Sequence, residues 1–407
     1  MTSAAVCRSC GHGDLDLVLS LGRTPLANAL LTKDQLDEPE ETYPLDLVFC
    51  PKCALVQITE TVPPERLFRH YLYFTSFSDT MVQYARELAA RIVAARRLGP
   101  QSLVVELASN DGYLLQFYRD AGVPVLGIEP ATNIAAEARR KGIPTLDRFF
   151  GAELAAELAA EGTRADVLHA NNVLAHVADL NGFVAGIASV LEPDGVAIIE
   201  VPYVRTMLEA LEFDTIYHEH LCYFSLTALQ SLFHRHALRA VDVERLPIHG
   251  GSLRLFVQAQ GEPSAAVRTM LDEEHAAGMD GLEFYARFGE RVEGLRAELL
   301  AMLDDLKRSD KSLAAYGASA KGSTLLNYMG IGKETLDFVV DRSTVKQGLY
   351  TPGTHLPILA PEAVLDRRPD YLLLLVWNLT SEVLRQQERY REQGGKFIIP
   401  VPEPKVV

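Results

Sequence analysis

The run Tyr217-His218-Glu219-His220 packs a phenol, two imidazoles and a carboxylate into consecutive positions. An imidazole titrates near neutrality and can take a proton from a carbon beside a carbonyl. A neighbouring phenol or carboxylate can orient that base or hydrogen-bond the enolate that forms. An extended backbone here predicts His218 and His220 on one face and Tyr217 and Glu219 on the other. Metal binding is a second reading of the same residues, although the histidines lack the i, i+4 helical spacing of paired zinc ligands. A third reading has all four satisfied by hydrogen bonds at a domain junction, with no chemistry.

Four of the five cysteines fall in two pairs, Cys7-x-x-Cys10 and Cys50-x-x-Cys53. Two such knuckles predict a tetrahedral zinc site, and a reducing compartment disfavours disulfides. Four thiolates close the coordination sphere, so the metal would hold the fold and take no part in reaction. A redox pair or four unligated thiols is the alternative. The long stretch between Cys10 and Cys50 must loop out, and within it Gly22 to Leu30 is either a plain linker or a flap over a ligand. The fifth cysteine, Cys222, reads as a small apolar residue.

A third group of polar residues sits at strand ends. Leu103 to Leu107 is a near-continuous apolar strand that runs through Ala108 into the tight turn Asn110-Asp111-Gly112 before a helix starting at Tyr113. The turn carries carboxylates, Glu106 and Asp111, where a pyrophosphate site would carry glycines. Negative charge suits a cationic ligand such as S-adenosylmethionine, with its sulfonium and amino groups. The next strand, Val123 to Ile128, ends in Glu129-Pro130, where a carboxylate grips ribose hydroxyls in doubly wound folds. A third strand, Ala165 to His169, leads to Asn171-Asn172, and a fourth runs from Gly195 to Glu200. The candidate cofactor residues are therefore Glu106, Ala108, Asn110, Asp111, Gly112, Glu129, Pro130, Asn171 and Asn172. A nicotinamide dinucleotide on the same strand tips is the alternative, although the turn lacks GxGxxG.

These groups need elements to hold them, and 407 residues with 48% hydrophobic content are enough for two or three cored domains. The formal charge of −15 argues against nucleic acid as a partner. No apolar run reaches membrane-span length, and the N-terminus lacks a signal-peptide pattern, so the chain is expected to be cytoplasmic, off the membrane, and a monomer. Helices are expected over Leu72 to Arg97, over Leu226 to His236 with Ser225 as N-cap, and through a spacer from Ala265 to Asp310. A second open α/β unit then begins: strand Ser312 to Tyr316, turn Gly317 to Gly322, helix Ser323 to Met329, and strands at Leu336 to Val340, Tyr371 to Val376 and Lys396 to Ile399. Its turn GASAKG could cradle a diphosphate, with Ser319 and Lys321 as contacts; a second nucleotide cofactor is the rival occupant. Asp341 and Lys346 could reach the same ligand or be solvated loop charges. His249 and Ser252 could touch a sugar or merely flank a turn between strands.

Taken in order, the cysteine knuckles, ELASNDGYLL, NNVLAHV, YHEHLCYFS, HGGSLRLF and YGASAKGSTLLNY resemble the sugar C-methyltransferases of antibiotic deoxysugar pathways. The strand after Glu192-Pro193-Asp194-Gly195 is likewise similar to a step of class I methyltransferases. The resemblance implies an α/β protein: a zinc-binding N-terminal domain (1–70), a doubly wound class I methyltransferase core (71–205), and a C-terminal part (206–407) whose Rossmann-like unit (about 311–407) holds a dTDP-linked 4-ketosugar. It implies methylation of the ring carbon beside the ketone, C-3 in the commoner case and C-5 otherwise, with S-adenosylmethionine as donor and structural zinc. It also makes His220 the base, Tyr217 and Glu219 its neighbours, and His176 and Tyr71 further active-site residues. Without it, His176 would read as an ordinary helix-start histidine and Tyr71 as an interdomain aromatic. A noncatalytic ligand sensor and an NAD-dependent sugar oxidoreductase are the competing functions.

Overall fold

The computed structural model describes residues 5–69, 74–248 and 250–407. The N-terminal lobe is built on three antiparallel strands, β1 (Asp16–Thr24), β2 (Tyr43–Phe49) and β3 (Val56–Ile58). Residues 25–42 form an excursion between β1 and β2 that reaches the C-terminal unit, where Leu31 pairs with Tyr350. Glu40 accepts hydrogen bonds from the Gly353 amide at 2.9 Å and His355 at 3.0 Å.

The core sheet starts with β4 (Val104–Leu107), β5 (Val125–Ile128), β6 (Thr145–Leu146), β7 (Ala165–Asn171) and β8 (Leu191–Pro202), all parallel. All four residues of β4 are buried, as expected for a strand covered on both faces. The helix expected from Leu72 runs over Asp79–Arg96, because the Ser78 hydroxyl caps it by accepting from the Met81 amide. A short strand β9 (Cys222–Tyr223) then leaves the core and pairs with β3, Val56 opposite Tyr223. β10 (Arg239–Leu246) and β11 (Ser252–Gln258) return to the core sheet antiparallel to β8. The resulting order is β10-β11-β8-β7-β4-β5-β6, and chain direction across the sheet switches between β4 and β7. Two strands from beyond residue 205 thus complete the sheet. Ligands of such sheets bind at that switch, outside the carboxyl ends of the strands.

The spacer is two helices, Ala265–Ala276 and Leu282–Arg308. The longer one buries Tyr285, Phe288, Val292, Leu295, Leu299 and Leu303, a stripe at helical spacing. Tyr285 stacks on Phe49 of β2 at 4.7 Å between ring centres, tying the helix to the N-terminal lobe. The C-terminal unit comprises β12 (Leu313–Tyr316), β13 (Val339–Val340), β14 (Ile358–Leu359), β15 (Tyr371–Leu374), β16 (Lys396–Ile399) and the antiparallel β17 (Lys405–Val406), ordered β14-β13-β12-β15-β16-β17. Its switch lies between β12 and β15. The helix after β12 spans Ala320–Met329, starting three residues before the expected Ser323, because the Ser319 side chain accepts from the Gly322 amide and sets the N-cap. Lys321 therefore lies in the first helical turn. No helix among the described residues is long and apolar enough to cross a membrane.

Candidate active site

The four knuckle sulfurs lie within 4.8 Å of one another, with Cys7 Sγ 3.5 Å from Cys53 Sγ and Cys10 Sγ 3.6 Å from Cys50 Sγ. Tetrahedral zinc with bonds of about 2.3 Å needs sulfur separations of about 3.8 Å, so the cluster fits. The two knuckles repeat one backbone design. The Gly11 amide donates to Cys7 O and the Ala54 amide to Cys50 O, each at 2.9 Å, with Gly11 and Ala54 both left-handed. Burial pushes the Cys50 thiol up to about 11, whereas the Cys53 thiol that donates to Cys7 holds Cys7 down at about 5.

A cavity of about 500 Å³ opens at the carboxyl ends of β4, β5 and β7. Ala108, Asn110, Glu129, Pro130, Asn171 and Asn172 line it, beside apolar walls from Phe68, Phe149, Phe150 and Phe183. Three of these residues, Ala108 (φ 54°), Asn110 (φ 49°) and Asn172 (φ 53°), hold left-handed backbone that non-glycine residues rarely adopt. Such strain persists where surrounding structure fixes it, and binding sites are common places for it. Glu129 is nearly buried, and its carboxylate accepts from the Asn110 amide at 2.9 Å and the Ala131 amide at 2.8 Å. Those bonds fix its position in the cavity wall and leave further lone pairs on both oxygens. Asn171 Oδ1 is buried with no protein partner, a ready acceptor in the wall.

Three of the expected cofactor residues do not line this cavity. Asp111 accepts from Lys141 Nζ at 2.6 Å and from the Ser76 hydroxyl, so its charge is matched by a cation on the protein. Glu106 is buried, and desolvation, followed by the charges of Glu129, Asp111 and Glu200, raises its pKa well above the ordinary carboxylate value. Gly112 meets the need for positive φ (79°) and for space, since a Cβ would lie 2.7 Å from Ile143. The turn is an acidic scaffold with one ligand-facing carboxylate, Glu129.

The Tyr217–His220 run is a turn rather than a strand: the His220 amide donates to Tyr217 O at 2.8 Å. That turn brings Tyr217 and His220 together, the phenol donating to His220 Nε2 at 2.8 Å, and sends Glu219 and His218 elsewhere. His220 Nδ1 lies 2.8 Å from the Thr215 carbonyl, which only accepts, so Nδ1 carries the proton and Nε2 is the basic atom. His176 repeats this arrangement, with Nδ1 donating to Glu219 O at 2.6 Å and its ring 4.9 Å from that of His220. Burial lowers the His176 pKa, while hydrogen bonds to the backbone of Glu219 and Asn172 oppose that shift. Glu219 points into the N-terminal excursion, where Asn28 Nδ2 donates to it at 2.6 Å. Gly22 to Leu30 is therefore in contact with the site, as a flap would be. His218 Nε2 donates to Pro44 O at 3.1 Å and its ring packs on Tyr43, a structural post. Tyr71 and His249 lie outside the described residues.

A second cavity, about 220 Å³, shares Asn172, His176, Tyr217 and His220 with the first. Its other walls include Tyr203, Glu212, Gly251, Lys321 and Asn378, which brings in the switch point of the C-terminal sheet. Of the expected sugar-nucleotide residues that the structure describes, Lys321 alone lines it. Ser319 caps its helix, and Asp341 accepts from the Ala318 and Ser343 amides, each at 2.8 Å. Lys346 Nζ donates to Ala318 O at 2.7 Å, and the Ser252 hydroxyl donates to Ile248 O at 3.2 Å. These four groups build the loop and strand that carry the wall.

Comparison with known proteins matches family models along most of the chain: a zinc binding domain at residues 7–68, a methyltransferase domain at 81–243 and a C-methyltransferase C-terminal domain at 247–402. C-methyltransferase NovU of Streptomyces niveus is 39% identical over 404 residues, covering 98% of this chain and 96% of the relative. The chain belongs to the C-methyltransferase family. A ubiquinone biosynthesis O-methyltransferase of Methylobacterium is 30% identical over 127 residues, 29% of this chain and 50% of the relative. The magnesium protoporphyrin IX methyltransferase of Synechocystis PCC 6803, solved with bound SAM, aligns over 43% of this chain and 78% of its own at 15% identity and a TM-score of 0.34.

This C-methyltransferase thus has the class I α/β fold, uses S-adenosylmethionine, and carries a structural zinc site. Sequence reasoning missed Asn28, Glu212, Trp377 and Asn378. Trp377 is the only tryptophan of the chain, and its Nε1 donates to the buried Asp214 at 2.7 Å while Lys321 lies 4.9 Å over its ring. A lone tryptophan beside an Asn just after an apolar strand was the available signal. Asn28 had none, since its partner is 191 residues away.

Proposed function

We propose that this C-methyltransferase methylates the ring carbon next to the ketone of a dTDP-linked 4-keto-deoxysugar, as in deoxysugar biosynthesis for an antibiotic. The observation that carries the reading is the pair of cavities meeting at His176, Tyr217 and His220. One has the carboxylate and asparagines suited to a nucleoside cofactor, and the other has polar walls suited to a sugar. Residues 1–70 hold the zinc, 71–205 the cofactor and 206–407 the sugar nucleotide, with the unit from about 311 contributing Lys321 and Asn378.

Bound S-adenosylmethionine supplies a methyl group activated on a positive sulfur. Glu129 holds its ribose, with Asn110, Asn171 and Asn172 fixing the remaining polar groups. The α-carbon of the ketosugar loses its proton to His220 Nε2, whose orientation the Thr215 carbonyl fixes. The C–H pair becomes the enolate double bond as charge moves to the ketone oxygen. Tyr217, whose proton leaves His220 Nε2 as the ketone binds, donates to that oxygen, a contact worth roughly 3 to 4 kcal/mol when well placed. The enolate carbon then takes the methyl as its bond to sulfur breaks. His176 is the second histidine within the site.

The test is mass spectrometry of dTDP-4-ketohexoses incubated with S-adenosylmethionine and the protein, with a gain of one methyl expected and no gain on any of them overturning the proposal. Solvent deuterium exchange locates the carbon, C-3 or C-5. Replacing His220 by Asn is expected to lower turnover by about 10²- to 10⁴-fold while cofactor binding persists. Unchanged exchange in that variant would move the base to His176.

A further inference from the structure

Glu212 lies on the wall of the second cavity, five residues before Tyr217. It is 5% exposed, and its carboxylate oxygens, which keep some contact with the cavity, make no hydrogen bond among the described residues. The backbone is built to put it there. Leu211 takes a left-handed φ of 55°, and Gly250 packs so closely that a Cβ would lie 2.5 Å from both Glu212 oxygens. The cationic influence on it is Lys321 across the same cavity, which forms no ion pair with it within 4 Å. Burial outweighs that charge and pushes the Glu212 pKa up to about 7.

A largely buried carboxylate needs hydrogen bonds to offset its desolvation. No described residue supplies them to Glu212, so they come from whatever fills the cavity it faces, which opens onto the two histidines. We infer that Glu212 is a substrate-recognition residue that accepts a hydrogen bond from a ring hydroxyl of the sugar. A neutral donor suits the site, because Lys321 already offsets the carboxylate charge. Asp214 does not share this role: its Oδ1 is also unpartnered, but the residue does not line the cavity, and its Oδ2 accepts from Trp377 of the C-terminal unit. The inference rests on the ketosugar reading and narrows it to a ketosugar that retains a hydroxyl within reach of Glu212.

The test measures methyl transfer to dTDP-4-keto-6-deoxyglucose and to its 2-deoxy and 3-deoxy analogues by the full-length protein and by E212Q and E212A. Cofactor affinity and melting temperature serve as controls for folding. Loss of a hydrogen bond to a charged acceptor predicts a KM increase of about 10- to 100-fold in E212A, with cofactor affinity unchanged. In the unaltered protein one deoxy analogue should show the same penalty, and E212A should no longer distinguish that analogue from the parent sugar. A wild-type KM in both variants, or undiminished discrimination among the analogues by E212A, overturns the role of Glu212 while leaving the ketosugar reading intact. Absence of methyl transfer by the unaltered protein to all three sugars overturns the ketosugar reading and the inference with it.

Discussion

At the scale of single residues, the site is organised by which atoms are already engaged. Two backbone carbonyls, Thr215 O and Glu219 O, fix two histidines in the same tautomer, and the Tyr217 phenol engages His220 Nε2. Glu212 shows the opposite condition, a side chain without a partner among the described residues. That has a thermodynamic signature. Its folded pKa of about 7 lies above the ordinary value of 4.5, so its contribution to stability is full below pH 4.5 and is lost as pH rises through 7. Glu212→Gln, which carries no charge, should therefore stabilise the ligand-free protein at pH 8 by on the order of 2 kcal/mol, with no gain at pH 4. Denaturant melts at the two pH values measure this, and equal effects at both would mean that the carboxylate has a partner in solution.

At the scale of elements, the decisive feature is a turn where alternation suggested a strand. Alternating polar residues with no glycine look extended, yet residues 216–221 join a single 3-10 turn (Phe213–Thr215) to β9 and must reverse direction to do so. The excursion after β1 reaches this turn through Asn28, whose amide satisfies the buried Glu219 carboxyl. Burial raises the Glu219 pKa and Asn28 opposes that rise. Asn28→Ala strands a buried acceptor, a loss of about 1–3 kcal/mol, and should reduce kcat about tenfold with little change in cofactor affinity. Steady-state kinetics with both substrates varied test this, and a loss confined to cofactor affinity would place Asn28 in the other cavity. The helix start at Ala320 has the same lesson, since the Ser319 cap moves Lys321 from a loop into the first turn facing the second cavity.

At the scale of the molecule, the zinc cluster and the reacting turn belong to one sheet. β9 follows His220 by one residue and pairs with β3, which starts three residues after Cys53. Removing the metal should therefore affect chemistry even though no zinc ligand touches a substrate. The protein is expected to carry one zinc per chain, and chelation or Cys50→Ser should lower the melting temperature by at least about 5 °C and abolish methyl transfer. Metal analysis with thermal melts decides this, and full activity after complete zinc removal would separate the lobe from the site.

Local sequence determined what is local. The cysteine spacing determined the cluster, because each knuckle is a closed turn of consecutive residues. Apolar runs and strand-end residues determined the core sheet and Glu129, because strand burial and tip chemistry are written within a few positions. The Ser225 cap and the helix it opens were legible for the same reason. Only the tertiary structure decided which polar groups are spent on the fold and which face a ligand. Asp111 is neutralised by Lys141, Asp341 is held by amides of a neighbouring loop, and Glu219 is met by an asparagine from the distant N-terminal excursion. Glu212, unremarkable in the sequence, lines the second cavity without a partner among the described residues. Hydrogen-bond satisfaction of a buried group depends on what packs against it from anywhere in the chain, and no spacing along one segment contains that information.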